Sequence, residues 1–234
     1  RGVGGIPPMI RELPGANYAI TTNGAVIADL KTNKAIRTCG LSNEMVQRIL
    51  NIAKKYHSAT DPFIDGRAIT QPSSIDHMDE FGLSPQMQKL IRDTREVVPD
   101  VMEYVKTTGA QAEKINIFMT DLEEREILRK ELMAMPELSI SSSMYNNLEV
   151  NAKGADKGSA LLWLADHLGI SREETMAFGD GENDIPMIKA AGIGVAMENA
   201  LDTVKEAADT ITLNNDEDGV AAAIRKFIFG SSEE

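Results

Sequence analysis

The chain has 234 residues, 42% of them apolar, and its 24 Lys and Arg stand against 36 Asp and Glu for a formal net charge of -12. That is enough apolar material for one large or two small cores, and the acidic balance disfavours nucleic acid or an anionic membrane as the main partner. The lone Cys39 excludes an intramolecular disulfide, the scattered His57, His77 and His167 do not make a zinc set, and neither a membrane-spanning apolar run nor a secretory leader is seen, so a soluble protein of the reducing cytoplasm is expected.

Short β-type runs alternate with helical periods from the start: a strand over 18–21, a helix over 44–56, a strand over 114–119 and a helix over 122–133. The last third repeats the alternation more regularly, with helices over 158–168, 183–190, 201–207 and 219–228 and strands over 175–178, 193–196 and 210–212. This order predicts an α/β fold with parallel crossovers, which place a ligand site at the carboxyl ends of the strands. The middle, 28–148, differs in texture: it carries two Gly/Pro/Ser-punctuated stretches, 61–74 and 82–85, and strands that could pair antiparallel. It reads as a second α/β domain inserted into a first one built from 1–27 and 149–234. The 12 methionines, Trp163 and Phe227 fall on apolar helical faces and read as packing, and His77 reads as a solvated loop residue.

Two stretches carry candidate chemistry. FGDGENDIPM (178–187) crowds Asp180, Glu182, Asn183 and Asp184 between an apolar strand and a helical period. Capping and the helix dipole alone favour acids and amides there; equally, Asp180 and Asp184 offer hard oxygens to Mg²⁺, which takes one or two carboxylates plus water and phosphate oxygens. The second stretch, GADKGSALLWLADHLGI (154–170), puts Lys157 in the first turn of a helix, where the dipole disfavours a cation by ~0.3–1 kcal/mol. A solvated lysine beside an Asp156 cap would explain it, as would a site in which the ammonium and helix-end N–H groups neutralise a phosphate beside the metal.

KGSALLWLADHLGI and GDGENDIPMIKAAGIGVAMENA (179–200) together resemble the third and fourth motifs of the haloacid dehalogenase superfamily, specifically the Cof-type sugar-phosphate phosphatases with an α/β (type IIB) cap. NNDEDGVAAAI (214–224) resembles the family's closing loop and helix, and NYAITTNGAVI (17–27) the strand and Asn-Gly segment that lead from core to cap. The resemblance implies a Rossmann-like parallel-sheet core with the inserted domain as its cap, and a Mg²⁺-dependent hydrolysis of small phosphorylated metabolites such as sugar phosphates. It makes Lys157 the catalytic lysine, which also binds the phosphate, and Asp180, Asn183 and Asp184 the metal group. Arg1, Asn23 and Gly24 become substrate-binding, although Asn23-Gly24 also reads as a plain type I′ turn. The partner is then a small phosphate ester, with no role for nucleic acid or membrane.

One departure stands against these agreements. Family members attack phosphorus with the first aspartate of a D-x-D-G-T motif, forming an aspartyl-phosphate, and that motif is absent. The single D-x-D-G run, Asp216 to Gly219, follows polar Asn214 and Asn215 and reads as acids opening the last helix. The chain thus looks like a family member without its first strand, first helix and second strand. It could be part of a longer enzyme, a truncation product, or a non-catalytic phosphate-ligand-binding domain. The first is expected, because removing central strands from a parallel sheet leaves apolar faces uncovered and edges unpaired.

Overall fold

A computed structural model describes residues 2–230. It divides into two compact units, Arg1–Ala155 and Asp156–Glu234, each α/β.

The first unit opens with a short helix α1 (Pro8–Arg11) and a three-stranded antiparallel sheet, β1 (Tyr18–Thr21), β2 (Val26–Asp29) and β3 (Lys34–Thr38), in that order. Helix α2 (Asn43–Ala53) follows, capped by Ser42, whose hydroxyl accepts from the Met45 amide. Its Val46, Ile49, Leu50 and Ala53 fall three or four residues apart and form its buried stripe. The rest of the unit is a six-stranded sheet with helices: β4 (Ala59–Ile64), β5 (Arg67–Thr70), α3 (Pro72–Asp76), α4 (Pro85–Thr94), β6 (Arg95–Val97), α5 (Val101–Thr108), β7 (Lys114–Phe118), α6 (Leu122–Met133), β8 (Leu138–Ser141) and β9 (Asn147–Ala152). Its spatial order is β6-β5-β4-β7-β9-β8, antiparallel except for the β5–β6 pair.

The alternation of β7 gives this sheet two unlike faces. Ile115 and Ile117 join Leu148 and Val150 of β9 in an apolar core with α2, α5 and α6. Lys114 and Asn116 point the other way, as do Asn147, Glu149 and Asn151 of β9, and all five are buried. One end of that face is closed by a smaller cluster in which Ala59 and Phe118 meet Met78, Phe81, Leu83 and Ile91.

The second unit is simpler. Strands β10 (Met176–Gly179), β11 (Ile193–Ala196) and β12 (Thr210–Ile211) form a parallel sheet in sequence order, linked by α8 (Ile185–Ala190) and α9 (Asp202–Ala207). Helix α7 (Lys157–Leu168) precedes it and α10 (Gly219–Ile224) follows, continuing into a wider π-type turn over Arg225–Phe229. Ile188, Ala196, Met197, Ala200 and Val204 make its core.

The expected alternation is thus present, with ends shifted by a residue or a few. The punctuated stretch 61–74 holds more structure than its composition suggested. Asp65 and Gly66, at φ 49° and 77°, make a two-residue turn of the type I′ kind between paired Ile64 and Arg67, so β4 and β5 are a hairpin. Asn23-Gly24 is not that turn: β1 and β2 pair through Thr21 and Val26, leaving a four-residue loop between them. Both expected domain boundaries fall inside strands, 27/28 in β2 and 148/149 in β9, which stays in register with β8 to Ala152. Trp163 stacks on His167 with ring centroids 5.0 Å apart, and Phe227 is 38% exposed, so neither is simple core packing. Among the described residues no helix is long and apolar enough to cross a membrane.

Candidate active site

In the second unit the chain leaves β10 at Gly179 and turns through a single 3₁₀ turn, Glu182–Asp184, into α8. This folds Asp184 back onto the strand end, where its Oδ2 accepts from the amides of Asp180 (3.0 Å) and Gly181 (3.1 Å). The approach is so close that a Cβ on residue 179 would lie 2.3 Å from the Asp184 Cβ, which only glycine avoids. The other oxygen of Asp184, Oδ1, takes the Lys157 ammonium at 2.5 Å.

Lys157 is the first residue of α7, and Asp156 caps that helix by accepting from the Ser159 amide. The unfavourable dipole position found in the sequence is therefore offset by an ion pair. Helix α7 reaches it because it packs tightly on α8: a Cβ at Gly158 would sit 2.3 Å from the Pro186 carbonyl oxygen. The lysine side chain is 26% exposed and the Asp184 side chain 9%, so the ammonium has one side on a buried carboxylate and the other open.

Asp180 is exposed at the strand's carboxyl end, and its Oδ2 accepts from the Asn199 side-chain amide at 3.2 Å. Asn199 in turn accepts from the Asn215 amide at 3.0 Å, which ties the 214–218 loop to the site. Sequence reasoning passed over Asn199; the signal was an amide three residues beyond β11, at the carboxyl end of the neighbouring parallel strand. Asn183 lies in the same 3₁₀ turn, partly exposed. Asp218 stands at the N-cap position of α10 without a side-chain capping bond, so 216–219 opens a helix as read from the sequence.

The structure thus brings Lys157, Asp180, Asn183 and Asp184 together in one unit. Asn23 and Gly24 belong to the first unit, in the β1–β2 loop, where the Asn23 side-chain amide donates to Glu149 Oε2 at 2.7 Å and to Asn151 Oδ1 at 3.2 Å. Arg1 lies outside the described residues. Among the described residues no three or more His, Cys, Asp or Glu side chains converge as a metal cage. The donor set nevertheless suits a hard, strongly hydrated divalent ion, which needs one or two carboxylates, and not zinc. Asp180 is the exposed carboxylate able to reach it, whereas both oxygens of Asp184 are already engaged.

Residues 1–224 match the family model of the haloacid dehalogenase-like hydrolases. A 5-amino-6-(5-phospho-D-ribitylamino)uracil phosphatase, YcsE of Bacillus subtilis, is 50% identical over 114 residues, which is 47% of this chain and 46% of that protein, so the match spans less than half of that relative. A haloacid dehalogenase-like hydrolase from B. subtilis superposes with a TM-score of 0.79 at 28% identity, covering 90% of this chain and 79% of the other. A haloacid dehalogenase subclass IIB sugar phosphatase gives 0.72 at 28% identity, covering 90% and 75%. The match takes in the parallel strand end, Lys157 and the acidic turn and covers nearly the whole chain, which belongs to the haloacid dehalogenase-like hydrolases.

Proposed function

We propose that the protein hydrolyses small phosphorylated metabolites, sugar phosphates or similar esters, as a Mg²⁺-dependent phosphatase. The observation that carries this reading is the Lys157–Asp184 pair set beside exposed Asp180 at the carboxyl end of a parallel strand. The names of the relatives, a phosphatase of a phosphoribityl compound and a sugar phosphatase, support the substrate class.

In this reading Asp180 holds the metal, with Asn183 beside it, and Asp184 orients Lys157 and the Asp180–Gly181 backbone. When bound, Mg²⁺ would neutralise phosphate oxygens as a Lewis acid. Lys157 binds a phosphoryl oxygen on its open side, while its ion pair with Asp184 holds it in place. The covalent route through an aspartyl-phosphate needs a nucleophilic aspartate in a D-x-D-G-T motif, which is not among these 234 residues. We assign the hydrolase core to 1–27 and the segment after Ala152, where β9 ends, and the cap to 28–152, in place of the expected return crossing at 148/149. Arg1, Asn23 and Gly24 are assigned to the substrate side. The protein works without nucleic acid or membrane, in the cytoplasm.

The test is a panel of phosphate esters assayed on the intact protein and its Asp180→Asn variant across a Mg²⁺ titration. Turnover should fall by about 10²-fold or more, and the Mg²⁺ concentration for half-maximal activity should rise. Unchanged turnover and metal dependence would reduce Asp180 to a turn residue.

A further inference from the structure

The loop joining β1 to β2 runs through successive left-handed residues, Thr22 at φ 48°, Asn23 at φ 60° and Gly24 at φ 94°. Glycine takes this conformation freely and asparagine tolerates it, but a β-branched threonine does not, so the run persists only if its surroundings over-determine it. They do. Thr22 Oγ1 donates to Glu113 Oε2 at 3.0 Å, and the Asn151 side-chain amide donates to the Thr22 carbonyl at 3.0 Å. Asn23 Nδ2 donates to Glu149 Oε2 at 2.7 Å and to Asn151 Oδ1 at 3.2 Å.

Glu149 is the fixed point of this arrangement. Its other oxygen, Oε1, accepts from the Lys114 ammonium at 2.8 Å and the Ser143 hydroxyl at 3.0 Å, and both partners of the ion pair are about 95% buried. Burial pushes the Glu149 carboxyl up, but the Lys114 ammonium, with the Asn23 amide and the Ser143 hydroxyl, holds it down at about 2. It is therefore ionised at every pH at which the protein would work, and Oε2 always faces Asn23 as a charged acceptor.

We propose that Glu149 is a positioning residue: locked by Lys114, it holds the Asn23 amide and thereby sets the left-handed Thr22–Gly24 loop. Asn23 Nδ2 is then a strut committed to Glu149 and Asn151, and it can donate to a ligand only by giving up those bonds. This rests on the reading of that loop as part of the substrate site.

The experiment follows amide hydrogen exchange in peptides spanning 19–25, together with kcat and KM for p-nitrophenyl phosphate, in the intact protein. Glu149→Gln and Asn23→Ala should each speed exchange of the Ala25 amide, which donates to the Thr22 carbonyl, by about tenfold, with no change over β11 and β12. The double variant should be no faster than the faster single, because both substitutions remove the same contact. Additive acceleration, or a folded Glu149→Gln variant with unchanged loop exchange, would overturn the proposal. If Glu149→Gln does not fold because Lys114 is left unpaired, Asn151→Ala and the paired change Lys114→Met with Glu149→Leu open the same loop and are read in the same way. Exchange decides the role of Glu149 on its own. A wild-type protein that binds but never cleaves a phosphomonoester would defeat the functional reading while leaving that result standing.

Discussion

Two of the lysine–carboxylate pairs among the described residues, the two whose carboxylate is buried, differ in their surroundings. Lys114 and Glu149 meet at 2.8 Å with side chains 4% and 5% exposed, in the middle of a six-stranded sheet. Lys157 and Asp184 meet at 2.5 Å with side chains 26% and 9% exposed, at the end of a three-stranded one. In the first pair each charge is spent on the other and on neutral donors, and nothing from solvent can join. In the second the carboxylate is buried while the ammonium keeps an open side. An enclosed pair fixes neighbouring structure, whereas a half-open pair presents a held charge to whatever arrives.

The comparison breaks most sharply on Lys157→Ala. If the open ammonium neutralises a phosphoryl group, turnover should fall by on the order of 10²-fold, the scale of losing one preorganised charge-stabilising donor. Stability should fall too, by about 1–3 kcal/mol, since the Asp184 carboxylate would stay buried with only its two amide donors. That reverses the sign expected of a solvated lysine opposing a helix dipole, whose removal would stabilise the helix by a few tenths of a kcal/mol, on the order of 0.3. A steady-state assay and a urea melt on the same variant decide both. A stabilised and fully active variant would make the open side of the pair meaningless.

This reversal marks where the sequence was legible. Periodicity located the strand and helix on either side of the acidic turn, because parallel strands are apolar runs and α8 packs an apolar face. It also singled out Lys157 as electrostatically odd. It could not supply the partner 27 residues away, because that contact depends on Gly158 and Gly179 letting two elements approach, and the register of packed helices is not written in local pattern. The network around Asn23 was invisible for a related reason: Lys114, Glu149 and Asn151 alternate with apolar residues along β7 and β9, and alternation alone reads such positions as solvent-facing. Here that second face is buried too.

The enclosed pair should show itself in acid. The Glu149 carboxyl sits at about 2 in the fold against 4.5 for an ordinary glutamate, so its contribution to stability is present above about pH 4.5 and is lost as pH falls toward 2. The difference corresponds to about 3 kcal/mol, and the slope has the sign of an unfolded state that binds the extra proton. Glu113 works against it, because burial raises its carboxyl and the folded state takes up that proton first. Subtracting the urea stability profile of the paired Lys114→Met, Glu149→Leu variant from that of the parent between pH 5 and pH 2 leaves the Glu149 term. A flat difference would mean the pair is not the anchor its burial suggests.

The finest separation comes from two helix caps of the same chemistry. Asp100 caps α5 in the first unit by accepting from the Glu103 amide at 2.8 Å, and Asp156 caps α7 in the second by accepting from the Ser159 amide at the same distance. Replacing either by alanine removes one acceptor from a helix start and should cost about 1 kcal/mol in a denaturant melt. Only Asp156 precedes a lysine that faces a site, so only Asp156→Ala should also lower turnover. That loss should stay below about tenfold, because the ion pair to Asp184 still holds the ammonium after the first turn loosens. Asp100→Ala should leave turnover at the parent value. Equal stability losses with activity lost only at Asp156 would place function on the half-open pair. Equal losses of activity at both caps would show that turnover follows global stability, and the distinction between the two pairs would then carry no functional meaning.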